Sequence, residues 1–256
     1  MAKTLSFVKT KLKKLGIKKG DKIVLVLDFL KLSLFAKKNK EKIIPDEIID
    51  LVITIIGKEG TLVFNSFCWD FIKKNYYDYS KSKSIGGALS NRSLERNDFV
   101  RTQHPIYSFS VYGKDSKKMK NIKSIDSFGS SSVFGYMVKN NFKYIGVGVE
   151  LNSGFAFVHV AEQKAKVEYR YIKKFYGIFI DENNKSLKKE STMFVRKINL
   201  SKGTRSKKSF YNLLLKRKIL KENYIENLKI YSFDLLKVFN IMVRDLKTKR
   251  KYIISL

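Results

Sequence analysis

The sequence predicts an α/β fold, a single domain over residues 1–256 in which helices flank a mixed, largely parallel central sheet. Three observations predict it. Short apolar segments rich in β-branched residues alternate with helical patterns. The chain has 256 residues, 44% of them hydrophobic, which is enough for one packed core. No internal repeat and no linker rich in Pro, Gly or Ser divides it.

The first quarter of the chain contains two predicted helix–strand units. Apolar residues recur at helical spacing over residues 5–15, and Gly16 ends that helix. Residues 21–28 (DKIVLVLD) form a predicted buried strand. Pro45 suits the first turn of a second helix, whose acidic residues lie at its positive end. Residues 61–66 (TLVFNS) form the second predicted buried strand.

The same alternation continues after an irregular stretch. Residues 107–113 alternate like a strand, and residues 131–140 have a helical pattern. Residues 142–149 form another apolar strand, followed by a helix over 154–165. Strands separated by helices favour parallel pairing, because a parallel neighbour requires a long crossover.

The last third of the chain has a different pattern. Residues 168–180 and 188–199 predict a hairpin around the polar turn at 181–184. Further on, we predict a helix over 209–220, a short strand near Ile230 and a helix over 235–242. The prediction is therefore a core over residues 1–167 with a C-terminal hairpin and helix layer over 168–256.

The charge is strongly positive, with 53 Lys and Arg residues against 23 Asp and Glu, a net charge of +30. Nucleic acid is the first partner that such a charge suggests. However, the positive residues are mostly lysines spread along the whole chain, so nucleic acid is not expected as a partner. An anionic small molecule suits a broadly positive field equally well.

Cysteine content and hydropathy predict a cytoplasmic protein. Cys68 is the one cysteine, so no disulfide framework can form. The first residues form an amphipathic pattern without the continuous apolar core of a signal peptide. No apolar run approaches the roughly 20 residues that a transmembrane helix needs.

The chain has only two histidines, His104 and His159, so a base that titrates near neutral pH is expected to be one of them. Glu162 follows His159 by three residues, and a helix would place both side chains on one face. A carboxylate beside an imidazole can fix its tautomer. The alternative is an ordinary pair on a helix surface.

His104 lies at the end of a long loop over residues 83–105, where Pro105 favours an extended backbone before it. The residue is either a structural loop histidine or part of a site. Ser130, Ser131 and Ser132 precede a predicted helix, where they could cap it or leave amides free for a phosphate or carbonyl oxygen. Cys68 is disfavoured as a nucleophile.

Four segments together resemble the aminoglycoside 3-N-acetyltransferase family. They are TLVFNSFCWDF, then SIGGALSNRSLERNDFVRTQHPIYSFSVYG, then SFGSSSVFGYM, then YIGVGVELNSGFAFVHVAEQKAKVEYRY. Each segment alone is a weak match, but their order and spacing along about three quarters of the chain make the resemblance specific.

The resemblance implies an antibiotic N-acetyltransferase-like fold that uses acetyl-CoA as co-substrate and no metal. It implies that His159 is the general base and Glu162 its acidic companion. It also places His104 in the Arg-x-x-His-Pro loop, and Trp69 and Asp70 at the strand end that borders the acceptor.

The sequence departs from the family where a Ser-rich turn helps hold coenzyme A after the first strand. Here the chain reads DFLKLS over residues 28–33, so only Ser33 supplies a hydroxyl. We therefore expect Ser33 and the serines at 130–132 to contact the cofactor.

The predicted function is acyl-CoA-dependent acetylation of the amine of an amino sugar by a monomer or homodimer. The net charge favours a nucleotide-linked sugar for surface polysaccharide synthesis, because +30 repels polycationic aminoglycosides and attracts anions. Residues 167–184 also resemble the branch of the family that modifies surface sugars. The alternatives are an aminoglycoside acetyltransferase that confers resistance and, from another class, a basic module that binds nucleic acid or anionic lipid.

Overall fold

The computed structural model describes residues 2–200, 204–248 and 252–255. The helices are α1 (Lys3–Lys14), α2 (Phe29–Lys38), α3 (Pro45–Ile56), α4 (Asp70–Lys73), α5 (Ala88–Leu94), α6 (Ser116–Lys120), α7 (Val133–Lys139), α8 (Phe157–Ala165), α9 (Lys208–Lys216) and α10 (Leu235–Thr248). The strands are β1 (Lys22–Leu27), β2 (Thr61–Asn65), β3 (Tyr76–Asp78), β4 (Val100–Arg101), β5 (Phe109–Gly113), β6 (Lys143–Val147), β7 (Arg170–Ile180), β8 (Ser186–Arg196), β9 (Thr204–Ser206), β10 (Leu220–Ile225), β11 (Leu228–Asp234) and β12 (Ile253–Ser255).

The central sheet has the strand order β10-β11-β6-β1-β2-β5-β4 within the described residues. Strands β6, β1 and β2 are parallel neighbours, with Ile23 opposite Lys143 and Lys22 opposite Thr61. Strands β5 and β11 are antiparallel to their neighbours, so β4 and β10 again run with the central three. Five of these seven strands therefore share one direction, and the predicted mixed, largely parallel sheet is confirmed.

Two strands from the C-terminal third of the chain, β10 and β11, lie in the central sheet. Strand β11 pairs with β6 from Ile230 opposite Val147 to Asp234 opposite Lys143, inside the central sheet. Ile230 is buried on one face of the sheet, and Tyr231 and Phe233 are buried on the other. Burial on both faces makes β11 part of the core.

Two hydrophobic clusters cover the two faces of the central sheet. Helices α1, α2 and α3 pack on one face, where Ile23 and Leu25 point. Helices α7, α8 and α10 pack on the other, where Val24 and Val63 point. Successive residues of β1 thus serve opposite faces, as expected for a strand buried on both sides.

Helix α2 and the contents of the 83–105 loop were not predicted. Helix α2 begins at Phe29, directly after β1, and the Asp28 carboxylate caps it by accepting from the Lys31 amide at 3.1 Å. Leu32, Phe35 and Ala36 then pack into the core. The long loop contains the short helix α5 and the strand β4.

The predicted hairpin is confirmed as β7 and β8, which pair from Arg170 opposite Arg196 to Ile180 opposite Ser186. Strand β3 joins β7 in parallel to complete a second sheet. No helix within residues 2–200, 204–248 and 252–255 is long and apolar enough to cross a membrane.

Candidate active site

The carboxyl ends of β6, β1 and β2 meet at one edge of the central sheet, where α/β proteins commonly bind ligands. The loop from Gly148 to Gly154 crosses this edge. Lys31 Nζ donates to the Gly148 carbonyl at 2.7 Å, and Asn65 Nδ2 donates to the Gly154 carbonyl at 3.3 Å. The loop leads directly into α8, which carries His159.

His159 and Glu162 lie on one face of α8, as their spacing predicts. His159 Nδ1 is 2.7 Å from Glu162 Oε2. The Glu162 side chain is fully buried, whereas the His159 side chain is 24% exposed. Phe157, Val160 and Ala161 anchor the helix in the core. Glu162 therefore holds the imidazole from the buried side, and part of the ring is still exposed to solvent.

Two residues that were not among the predicted site residues also contact Glu162. The Tyr169 hydroxyl donates to Glu162 Oε1 at 2.9 Å, and Arg170 Nε is 2.8 Å from Oε2. A buried carboxylate needs such partners, here one hydrogen bond and one ion pair, to remain charged. The last of the four segments that resemble the family ends in YRY, which includes Tyr169 and Arg170. Only the packing of β7 against α8 in the folded protein reveals that these two residues contact Glu162.

These contacts determine the tautomer of His159. An ionised carboxylate only accepts hydrogen bonds, so Nδ1 of His159 carries the hydrogen, and Nε2 keeps its lone pair in the neutral ring. Within residues 2–200, 204–248 and 252–255, no hydrogen bond to Nε2 is present. The Phe128 ring packs edge-on against the imidazole, with centroids 5.2 Å apart. Nε2 is thus available to take a proton from a bound group.

The environment of His104 is entirely different. Its side chain is buried, with 6% of the residue exposed. The amides of Ile106 and Tyr107 donate to Nδ1 at 3.2 and 3.1 Å. Burial, together with the positive charge of Lys189, lowers the pKa of His104 to about 3. The ring is therefore neutral.

The second nitrogen of His104 faces the second sheet. Because Nδ1 accepts, Nε2 carries the hydrogen and points to Ser127 Oγ at 3.3 Å. Ser127 Oγ in turn donates to the Thr192 carbonyl of β8 at 2.7 Å. Both ring nitrogens are used inside the protein, which favours the structural alternative. Direct contact with substrate stays a prediction.

Trp69 connects to His159 through an aromatic wall. Its ring meets Tyr107 edge-on with centroids 5.4 Å apart, and Tyr107 packs on Phe128 at 4.8 Å. Phe128 contacts His159. Asp70 starts α4 beside Trp69, and its Oδ1 is 3.3 Å from Lys74 Nζ. The structure thus connects Trp69 to the wall beside His159, while the acceptor contacts of Trp69 and Asp70 stay predictions.

The serines before α7 have separate positions. Ser132 caps α7, since its Oγ accepts from the Gly135 amide at 3.1 Å and donates to the Gly129 carbonyl at 2.7 Å. Ser131 is exposed, and Ser130 lines a cavity of about 280 Å³ together with Phe128. Ser132 is therefore occupied as a cap, and the predicted cofactor contacts of the three serines remain predictions.

Ser33 lies inside α2, and its hydroxyl is buried without a hydrogen-bond partner in the described residues. A groove of about 530 Å³ lies between α2 and the β10–β11 turn, and its lining includes Lys31, Lys37 and Lys38. Lysines around a groove at the carboxyl edge of the sheet can hold the phosphates of a nucleotide cofactor. In the described part of the chain, no group of three or more His, Cys, Asp or Glu residues could hold a metal.

Residues 35–247 match the family described as aminoglycoside 3-N-acetyltransferase. The chain belongs to that family. The predicted resemblance is confirmed, and so is the expected class of acetyl-CoA-dependent N-acetyltransferase. Sequence comparison with curated proteins gives no significant match.

Several solved structures share the fold. The YokD protein from Bacillus subtilis superimposes with a TM-score of 0.76 at 18% identity, over 98% of this chain and 96% of that one. Sisomicin-bound AAC-VIa gives 0.79 at 16% identity, over 96% and 98%. AAC-IIIb in a binary complex with CoASH gives 0.74 at 15% identity, over 96% of each chain. The antibiotic N-acetyltransferase-like fold is thereby confirmed.

Proposed function

We propose that this protein transfers the acetyl group of acetyl-CoA to an amino group of an aminoglycoside. The observation that carries the proposal is the His159 ring, with Nδ1 on buried Glu162 and Nε2 available. Family membership supports the reaction, and the sisomicin and CoASH complexes of two related folds support the substrates. These comparisons favour the aminoglycoside alternative over the nucleotide-linked sugar that the sequence suggested.

The proposed reaction needs a base because an ammonium group cannot attack a thioester. Nε2 of His159 accepts a proton from the acceptor amine as the nitrogen attacks the acetyl carbonyl. The N–C bond forms, the C–S bond breaks, and coenzyme A leaves as the thiolate, which then takes up a proton. The Glu162 carboxylate stabilises the imidazolium that forms. General-base help of this kind contributes about 10²–10⁴ in rate.

The groove between α2 and the β10–β11 turn supports a place for the phosphates of coenzyme A. Lys37 and Lys38 are exposed, and Lys31 is held at the rim by Asp28 and the Gly148 carbonyl. The apolar floor of the groove includes Phe35, which suits an adenine ring. We infer that these lysines replace the hydroxyls of the family's Ser-rich turn.

The second candidate acceptor is a nucleotide-linked amino sugar, and the net charge of +30 favours it. Asp28 lies at the end of β1, and Asp70 lies next to Trp69. The carboxylate of each residue pairs with a lysine. Paired carboxylates attract a polycation less than free ones do. The positive net charge of the protein attracts a sugar that carries a diphosphate.

A thiol-release assay with acetyl-CoA tests the proposal and separates the acceptors. Sisomicin, gentamicin and nucleoside-diphosphate amino sugars are compared side by side, with a no-acceptor control and mass spectrometry of the products. The proposal predicts acceptor-dependent thiol release and an N-acetylated aminoglycoside. Acetylation of the nucleotide sugars alone would establish the second candidate. Salt-dependent retention on DNA or anionic vesicles without thiol release would establish a binding module instead.

A further inference from the structure

We propose that Arg170 is a positioning residue for the acetyl transfer: it holds the Glu162 carboxylate against His159 and limits how tightly that carboxylate retains the proton on the imidazole. The inference rests on the proposed function, because it concerns the same base. Arg170 lies on β7 of the second sheet. Folding brings it against α8, the helix that carries His159 and Glu162.

Arg170 and His159 share one oxygen atom. Arg170 Nε lies 2.8 Å from Glu162 Oε2, and His159 Nδ1 lies 2.7 Å from the same atom. The two nitrogens are therefore less than about 6 Å apart, a distance at which one charge shifts the titration of another by about 1–3 pH units. The Arg170 side chain is only 9% exposed, so solvent screens little of this effect.

The guanidinium is fixed by a second contact. Arg170 Nη1 donates to the Phe194 carbonyl of β8 at 3.1 Å, while Nε faces Glu162. Because the guanidinium is planar, the hydrogen bond at Nη1 restricts its orientation while Nε stays in ion-pair contact with Glu162 Oε2. Tyr169 holds the other oxygen of Glu162. Both carboxylate oxygens thus have fixed positions before any substrate binds.

The charge of Arg170 has a consequence for proton transfer. Glu162 alone would stabilise the imidazolium form of His159 strongly, and a base that is already protonated cannot accept a proton from the amine. Arg170 offsets the carboxylate charge. Arg170 and Glu162 together are formally neutral, so the guanidinium charge opposes the positive charge that develops on the imidazole during proton transfer.

Other charged or titratable groups surround this cluster from neighbouring elements. Tyr107 is close enough for the Arg170 charge to act on its hydroxyl. Arg196 lies opposite Arg170 on β8. The Asp126 carboxylate accepts a hydrogen bond from the Gln163 amide of α8. Asp245 is buried on α10, which packs on α8. These groups are the same in every variant below, so they do not produce differences between variants.

The test compares Arg170→Gln, Arg170→Lys and the surface control Lys174→Gln, which lies on the same strand and pairs with Glu190. The rate kcat/KM for the acceptor is measured at saturating acetyl-CoA from pH 5 to pH 9. We expect Arg170→Gln to move the midpoint of the acidic limb up by about one unit or more. Arg170→Lys keeps the charge, so its midpoint stays near that of the wild type while its kcat falls, since lysine lacks the rigid fork.

An NMR titration gives the same information without turnover. The protein has two histidines, and the buried His104 stays neutral over this range, so any pH-dependent change in the ring signals of a ¹⁵N-histidine sample reports on His159. The same upward shift is expected in Arg170→Gln, even if the acceptor of the enzyme were misassigned. A loss of kcat with no movement of either midpoint, or a variant whose only change is a lower Tm, would show a merely structural role and overturn the proposal. Should Arg170→Gln not fold, an Arg170→Lys midpoint more than half a unit from the wild type would overturn it equally.

Discussion

His104 and His159 show how two residues of one type acquire different roles from their surroundings. His159 sits beside a carboxylate with one nitrogen available, whereas His104 receives two backbone amides and is sealed from water. An amide that donates to Nδ1 competes with protonation there, and burial disfavours the charged ring. His104 is thus a neutral, buried ring, whereas His159 has one ring nitrogen that a bound group can reach.

The buried His104 makes folding stability depend on pH. Its folded pKa of about 3 lies below the unfolded value of about 6.5, so below pH 6.5 the unfolded chain binds a proton that the native chain does not. Unfolding free energy should therefore fall as the pH drops from 6.5 towards 3. We expect a slope of about 1.4 kcal/mol per pH unit from this group.

Urea unfolding between pH 6.5 and 5 measures that slope in the wild type and in His104→Asn, whose amide oxygen can still accept from the two backbone amides. Most carboxylates titrate below this range, so their contribution is small. The slope of the unfolding free energy against pH should be smaller in the variant, by the contribution of about one proton. Equal slopes in the two proteins would show that His104 is protonated in the native state.

The sequence predicted His159 and Glu162 as a pair because a helix converts a spacing of three into a shared face. It did not identify Tyr169 or Arg170, although they lie only seven and eight residues beyond Glu162. Their role depends on a turn after Lys166 that brings the start of β7 back onto α8. Such long-range packing has no periodic signature in the chain.

At the scale of elements, the β7–β8 hairpin ties both histidines to one support. Strand β7 supplies Arg170 to the Glu162 and His159 cluster, and β8 supplies the Thr192 carbonyl to Ser127, the partner of His104. The alternating pattern and the polar turn predicted this hairpin correctly. Its contacts with α8 and with the 104–107 loop explain why a surface-like hairpin belongs to the site.

Helix α7 offers a test of whether Ser132 serves the fold or the cofactor. An N-cap serine replaced by alanine destabilises a protein by about 1 kcal/mol. We expect Ser132→Ala to lower the unfolding free energy by that amount and to leave the KM for acetyl-CoA within twofold. The exposed neighbour Ser131→Ala is the matched control, and urea unfolding with steady-state kinetics is the measurement. A large rise in KM at full stability would assign Ser132 to the cofactor.

Helix α2 and strand β10 are among the elements that escaped prediction, each for a physical reason. Helix α2 begins at Phe29, directly after a strand, with only Asp28 as its N-terminal signal, and the run of apolar residues there hides the helical period. Strand β10 contains Lys221, Glu222 and Asn223, since it is at the edge of the sheet and pairs with β11 alone. Tertiary pairing, more than local preference, makes β10 a strand.

For the whole molecule, the net charge of +30 acts on every encounter with substrate. It attracts coenzyme A and opposes a polycationic aminoglycoside beyond contact distance. An aminoglycoside acetyltransferase with this charge should therefore associate with its acceptor slowly at low salt. Once the acceptor is bound, local contacts decide the affinity.

The salt dependence of kcat/KM tests this long-range effect. Raising the ionic strength from about 10 mM to about 150 mM shortens the Debye length from about 30 Å to about 8 Å. At saturating acetyl-CoA, kcat/KM for an aminoglycoside should rise over this range, because repulsion is screened. For a nucleotide-linked sugar it should fall. A decrease with the aminoglycoside would mean that an acidic pocket dominates the encounter.

The central claim is that Nε2 of His159 removes the proton from the acceptor amine. The most direct measurement is kcat of His159→Gln with acetyl-CoA and the acceptor that the wild type acetylates, with circular dichroism to verify the fold. The account predicts a fall of about 10²–10⁴, largest at neutral pH, where the amine is mostly protonated. A folded variant that retains more than a tenth of wild-type kcat would contradict it.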